Sequence, residues 1–273
     1  MVCDDQLELP ATATKHLSAL DVSHFRLRQL ADGVSNGTAL WLGAQCLSFY
    51  LADTLPKPRP ASPKTRPSVL ELGSGIGYSA LFLAAAGYDV LATDTSHVVS
   101  SVLARNIAFN THNLPLTAGR ILVRELDWTC IPQQWDWDSP VAIASSAPRS
   151  PTAMPSPSTP LRPPFDLIIS SDTLYAPELV TPLLRSLHAV ACQSYSPTAP
   201  RRSAPIYLCL ERRDPALIDH ALAEASSIWG FRVDRIPRRK IAKALDRAGV
   251  RWAAEDWEGI EIYRLTLRRD QQQ

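Results

Sequence analysis

The chain has 273 residues, 45% hydrophobic and 20% charged, an ordinary globular composition with enough length for one sizeable core. Its 28 Lys and Arg meet 27 Asp and Glu, and a formal charge of +1 leaves no global field to gather nucleic acid or anionic lipid. No apolar run approaches the roughly 18 residues that span a bilayer, and the opening MVCDDQLELPATATKHL lacks the basic start and apolar stretch of a secretion signal. Cys3, Cys46, Cys130, Cys192 and Cys209 are scattered and never spaced as C-x-x-C, which argues against a disulfide framework. His24, His97, His112 and His220 lie in separate segments without metal-ligand spacing, so no metal site is expected. These features predict a soluble, cytoplasmic or nuclear monomer with reduced thiols.

Taken in chain order, residues 1–36 read as an N-terminal extension packing on the core and 37–273 as the domain proper. Pro-rich stretches at 55–67, 139–164 and 195–205 read as loops. The second is long and poor in large apolar residues, and it is expected to be a disordered insertion. Between them, apolar runs at 68–72, 88–93, 120–126, 166–171, 206–211, 230–236 and 259–267 read as seven strands. Helical spacing of Val99, Val102, Leu103 and Ile107 places a helix at 97–110, with others at 78–86, 176–193 and 215–228 and a short basic helix within 237–258. Strands alternating with helices predict an α/β fold, a Rossmann-like three-layer αβα sandwich with a mainly parallel sheet. The last two strands lack a crossover pattern and are expected to pair antiparallel at the edge.

The run Val69-Leu70-Glu71-Leu72-Gly73-Ser74-Gly75-Ile76-Gly77 leads a strand straight into a glycine turn that opens a helix. Gly73, Gly75 and Gly77 let backbone N–H groups approach a ligand closely. Asp94, at the end of the next strand, is placed where a carboxylate accepts hydrogen bonds from both ribose hydroxyls of a nucleoside. The spacing is G-x-G-x-G, whereas the dinucleotide fingerprint is G-x-G-x-x-G, and the difference favours S-adenosyl-L-methionine over NAD. Glu71 either reaches the cofactor's amino group through water or orients the loop.

In these features the chain resembles the seven-β-strand S-adenosylmethionine-dependent methyltransferases. Trp41 before the first strand, Glu125-Leu126-Asp127-Trp128 after the third and Asp172-Thr173-Leu174-Tyr175 after the fourth narrow the resemblance to the family sixteen protein methyltransferases. That resemblance implies a protein-lysine N-methyltransferase acting on non-histone proteins. It places Asp172 and Tyr175 at the acceptor as catalytic residues, and Trp41, Asp127, Trp128 and Ser171 in the cofactor pocket. Arg105-Asn106-Ile107-Ala108-Phe109-Asn110 and Glu211-Arg212-Arg213 look like one methyltransferase-like subgroup of that family, implying a nuclear or nucleolar protein substrate associated with chromatin or RNA. Trp41, Trp128 and Tyr175 also admit a plain packing role.

Nucleic acid is not expected as the direct substrate, because Asp-Thr-Leu-Tyr stands where base-modifying enzymes commonly carry Asn-Pro-Pro-Tyr. A carboxylate suits an ammonium, which offers donors and no acceptor. Asp172→Ala is expected to abolish transfer and spare cofactor affinity. The basic residues Arg235, Arg238, Arg239, Lys240, Lys243, Arg247 and Arg251 read as a solvated helix face, a nucleic-acid surface or a landing site for an acidic protein. Two other functions stand beside the enzyme on protein: a small-molecule methyltransferase, favoured by an enclosed apolar pocket, and a noncatalytic cofactor-binding module.

Overall fold

The computed structural model describes residues 25–30, 36–58, 66–146, 159–195 and 203–268. Most of the 1–36 extension and the Pro-rich positions 59–65, 147–158 and 196–202 lie outside the described residues. One eight-stranded sheet organises the rest: β1 (Ser68–Leu72), β2 (Asp89–Asp94), β3 (Ile121–Leu126), β4 (Ala142–Ala144), β5 (Leu167–Ser171), β6 (Ile206–Glu211), β7 (Phe231–Arg235) and β8 (Ile260–Leu267), in spatial order β4-β3-β2-β1-β5-β6-β8-β7. β8 runs antiparallel to both β6 and β7. The expected antiparallel strand is present, but it sits one place in from the edge, which β7 takes.

The strand beyond the expected seven is β4, inside the segment read as disordered. Its Ala-Ile-Ala is fully enclosed and pairs with the end of β3. Flanking Pro and Ser residues hid so short an apolar run from a reading based on composition. Arg124 of β3, only 2% exposed, donates to the carbonyls of Trp137 at 2.7 Å, Ser139 at 3.2 Å and Leu161, which ties both ends of the inserted segment to the sheet.

The helices are α1 (Leu42–Thr54), α2 (Tyr78–Ala85), α3 (Ser96–Val98), which continues through a π turn at Val99–Leu103 into α4 (Ala104–Thr111), α5 (Pro177–Gln193), α6 (Pro215–Ser227) and α7 (Arg238–Arg247). α1 was not foreseen. Residues Cys46 to Leu51 are all buried, so the helix shows no polar face from which its period is read. The core divides on the sheet: Leu47, Leu81, Ile107 and Leu245 pack on one face, Leu183, Leu187 and Ile218 on the other. With both faces covered, the central strands read as near-continuous apolar runs. β1 lies between β2 and β5, and a cleft opens outside the carboxyl ends of strands at such a switch point.

Candidate active site

The turn after β1 is pinned before any ligand arrives. Gly73 and Ser74 both donate their N–H groups to the Thr93 carbonyl, at 3.0 and 2.9 Å, and the Ser74 hydroxyl accepts the Thr93 N–H at 3.0 Å. Gly73 and Gly75 take φ of +72° and +53°. A Cβ on Gly75 would come to 3.2 Å from the Gly37 carbonyl oxygen, and one on Gly73 to 3.2 Å from the Trp128 ring. Only glycine lets the turn approach these walls so closely. Gly77, at φ +89°, meets Leu103 and Ile107 instead, so its role is the packing of α2 on the following helix.

Asp94 closes β2 beside this turn. Its Oδ2 accepts the Gly75 N–H at 2.9 Å and its Oδ1 the Thr95 N–H at 2.8 Å. Burial raises its pKa to about 6, against the pull of those bonds. Asp127 lies opposite; burial raises its pKa, but bonds from Ser146 and Thr129 outweigh that and hold the carboxyl below its usual range. Trp41, Gly73, Gly75, Asp94, Asp127, Trp128, Ser171, Asp172 and Tyr175 all line one cavity. Glu71 does not reach its surface. It lies 1% exposed with Oε2 buried and unpartnered, and desolvation drives its pKa to about 8 against the pull of the neighbouring Ser74 and Ser79 hydroxyls. Of its two readings, the one that orients the loop matches this placement.

The chemistry of this cavity fits a nucleoside. Asp94 and Asp127 offer acceptors, Trp128 offers a flat wall, and its buried Nε1–H has no partner. Among the described residues no Lys, Arg or His lines it, so none of their side chains is placed to neutralise a pyrophosphate.

A second cavity, of about 270 Å³, shares Asn36, Trp41, Asp172 and Tyr175 with the first. Its other walls come from Leu174, from Leu210, Glu211, Arg213 and Asp214 between the end of β6 and the start of α6, and from Leu217. The Arg213 guanidinium stacks 4.5 Å over the Trp41 ring and pairs with Glu211 through Nε at 2.8 Å. Asp214 caps α6 by accepting the Leu217 N–H at 3.1 Å. Tyr175 is 51% exposed at the mouth.

Asp172 stands between the two cavities, held in the left-handed region at φ +55°. Its carboxylate rests on the amino end of α1, over Gly43, and Oδ2 is buried without a hydrogen-bond partner. Desolvation first, then the Glu211 carboxylate, raise its pKa to about 6; Arg213 and the N–H groups of Gly43 and Glu211 act against them. Reading the sequence missed Gly43, Glu211 and Asp214 as parts of this site. Of these, Asp214-Pro215 carried a local signal, a cap before a first-turn proline. The basic stretch is partly structural: Arg235 pairs with Glu261 at 2.6 Å, Arg247 with Asp53 at 2.6 Å, and Arg238 lies 4.1 Å over the Trp257 ring. Among the described residues no cluster of His, Cys, Asp or Glu is disposed to hold a metal, and no helix is long and apolar enough to cross a membrane.

Comparison with known proteins agrees with the motifs. A family profile described as lysine methyltransferase matches residues 20–139. Methyltransferase-like protein 22 of Homo sapiens is 30% identical over 125 residues, covering 46% of this chain and 28% of that protein. The Mus musculus protein of the same name is 29% identical over 111 residues, 41% of this chain and 26% of its own length. The match therefore spans little more than a quarter of either relative. Among solved structures, the ribosomal protein L11 methylase of Lactobacillus delbrueckii subsp. bulgaricus is similar with a TM-score of 0.47 and 15% identity, over 90% of this chain and 86% of that one. The family resemblance is thereby borne out.

Proposed function

We propose that the chain is a lysine methyltransferase, as the profile matching residues 20–139 suggests, and that it transfers methyl groups to the side-chain amine of a lysine on a non-histone protein. The wall chemistry of the second cavity carries the acceptor class. Two aromatic rings, Trp41 and Tyr175, and three carboxylates, Asp172, Glu211 and Asp214, surround one space beside the cofactor pocket, against the single cation Arg213, which Glu211 already pairs. An aliphatic stem with a cationic head suits such walls. Leu174, Leu210 and Leu217 complete the lining, so it is the charged residues, and not a lack of apolar wall, that favour a lysine over a small molecule.

Bound S-adenosylmethionine supplies an electrophilic methyl group on its sulfonium. Gly73, Gly75, Asp94, Asp127 and Trp128 would hold it. The protein's task is then to deliver a nitrogen lone pair along the correct line. Neutralising a free lysine at pH 7 costs about 4.6 kcal/mol, from its pKa near 10.4. Asp172, ionised above about pH 6, attracts the ammonium and so cannot lower that cost by itself. Its part is capture and orientation, shared with Glu211. Desolvation between the Trp41 and Tyr175 rings favours the neutral amine, and no obligate general base is assigned.

We place the reaction in the cytosol or nucleus, carried out by a monomer; the free thiols of Cys46, Cys130, Cys192 and Cys209 support a reducing compartment. The test incubates protein and an Asp172 variant with radiolabelled S-adenosylmethionine and native cell extract, then locates label by residue in mass spectra. Asp172→Asn is preferred to Asp172→Ala, because asparagine tolerates φ +55° and alanine does not. Label on lysine of a particular protein, lost in the variant, is expected. Label on small molecules, or none despite cofactor binding, overturns the reading.

A further inference from the structure

We propose that Asn106 and Asn110 are positioning residues for the cofactor: they hold the N-terminal segment that carries one wall of the cofactor pocket. The proposal rests on the cofactor reading above. Residues 25–30 run beside α4 rather than a strand, with Phe25 and Leu27 buried in the core and Phe25 edge-on to Tyr78, ring centroids 6.4 Å apart. The backbone groups of Arg26 and Arg28, on the alternate positions, need partners where no sheet supplies them. Asparagine side chains provide them. Asn110 accepts the Arg26 N–H at 3.0 Å and donates to its carbonyl at 2.9 Å. Asn106 does the same for Arg28, at 2.9 and 3.0 Å.

The register follows from geometry. Two residues of extended chain advance about 6.6 Å, and four residues of helix about 6.0 Å, so amides at i and i+4 meet backbone at j and j−2. Each side-chain amide thus copies one rung of an antiparallel ladder. Both asparagines are buried, 3% and 0% exposed, in a helix whose stability a leucine would serve better.

Asn106 also reaches the cofactor loop. Its Nδ2 donates to the Ile76 carbonyl at 2.9 Å, between Gly75 and Gly77. The held segment is bonded in turn to the next stretch of chain: Leu30 N–H to Thr38 carbonyl at 3.0 Å, Thr38 hydroxyl to Leu30 carbonyl at 2.9 Å, and Leu40 N–H to the Gln29 Oε1 at 2.6 Å. Those bonds set Gly37 against the place of a Gly75 Cβ and Trp41 against the shared wall of both cavities. One side chain, Asn106, therefore fixes the loop and the wall facing it relative to each other.

The experiment titrates S-adenosylhomocysteine into full-length wild type, Asn106→Ala, Asn106→Asp, Asn110→Ala and Gln29→Ala, recording each thermal midpoint. Asn106→Asp keeps the acceptor for Arg28 and replaces the donors to Arg28 and Ile76. Gln29→Ala tests the link from a partly exposed position that leaves the core untouched. Val190→Ala, fully buried in the opposite layer, serves as the control for stability alone. Asn106→Ala and Asn106→Asp are expected to raise Kd about tenfold, the effect of one to two net hydrogen bonds, with a smaller rise for Asn110→Ala and Gln29→Ala. Val190→Ala is expected to lower the midpoint and leave Kd alone. Unchanged Kd in both Asn106 variants and Gln29→Ala, or losses no larger than in Val190→Ala at equal midpoint, overturns the proposal. A wild type that takes up no S-adenosylhomocysteine overturns instead the cofactor reading on which it rests.

Discussion

The carboxylate of Asp172 occupies the space that a side chain at Gly43 would need: a Cβ there would come within 2.7 Å of both Cγ and Oδ1. Alanine normally stabilises a helix over glycine by about 1 kcal/mol. Here the sign reverses, because the buried carboxylate cannot move aside without leaving the amino end of α1, whose dipole favours an anion. Gly43→Ala is expected to destabilise by about 1 to 3 kcal/mol, as overpacking does. Acceptor turnover is expected to fall more than cofactor affinity. A variant as stable and active as wild type in thermal melts and methyl-transfer assays would show that Asp172 is not anchored on α1.

On the proposed reading, Asp172 also sets a pH limit. An acceptor-binding carboxylate with its pKa raised to about 6 loses its charge as pH falls through that value, so kcat/KM for the acceptor should decline below about pH 6. Arg213 lowers this pKa and Glu211 raises it. Arg213→Ala should therefore move the acid limb to higher pH, and Glu211→Gln should move it to lower pH. Saturating cofactor is needed, since Asp94 also titrates near pH 6. Limbs that shift in the same direction, or not at all, would assign the profile to another group.

Glu71 makes stability fall with rising pH. Its pKa climbs from 4.5 to about 8 on burial, so between those values the folded state keeps a proton that the unfolded chain has released. The folded protein is thus favoured least above pH 8, after losing roughly 1.4 kcal/mol for each pH step between the two values, before any relaxation. Glu71→Gln removes the ionisation and should flatten urea-midpoint stability across pH 5 to 8. If wild type and variant keep parallel pH dependence, Glu71 is ionised in the folded protein.

Legibility in the sequence followed the distance over which a residue acts. Strand 206–211 and the glycine turn with Asp94 were readable because period and spacing are local, and the observed β6 has the same bounds. The Asp172 and Tyr175 pair was found through a short motif after one strand, and both border the cavity beside the cofactor pocket. Gly43 looked like any helical glycine until Asp172 was placed above it. Asn106 and Asn110 stood in a string noted for resemblance alone, since the backbone they hold is 78 and 84 residues away. α1 lacked a polar face and β4 was three residues long, so neither period was visible.

Arg124 gives the inserted segment a measurable anchor. Burial lowers its pKa only to about 10, so the guanidinium stays charged at neutral pH and its fork serves carbonyls on both sides of the insertion. Methionine has similar length and no donor, and would leave the carbonyls of Trp137, Ser139 and Leu161 unpaired. Unpaired buried groups cost about 1 to 3 kcal/mol each, so Arg124→Met should lose about 3 kcal/mol or more in urea denaturation. Arg124→Lys should recover only part of this, because one ammonium cannot reproduce the planar fork. A loss below about 1 kcal/mol in the methionine variant would mean that water takes over the carbonyls, and that β4 is held by its own apolar contacts instead.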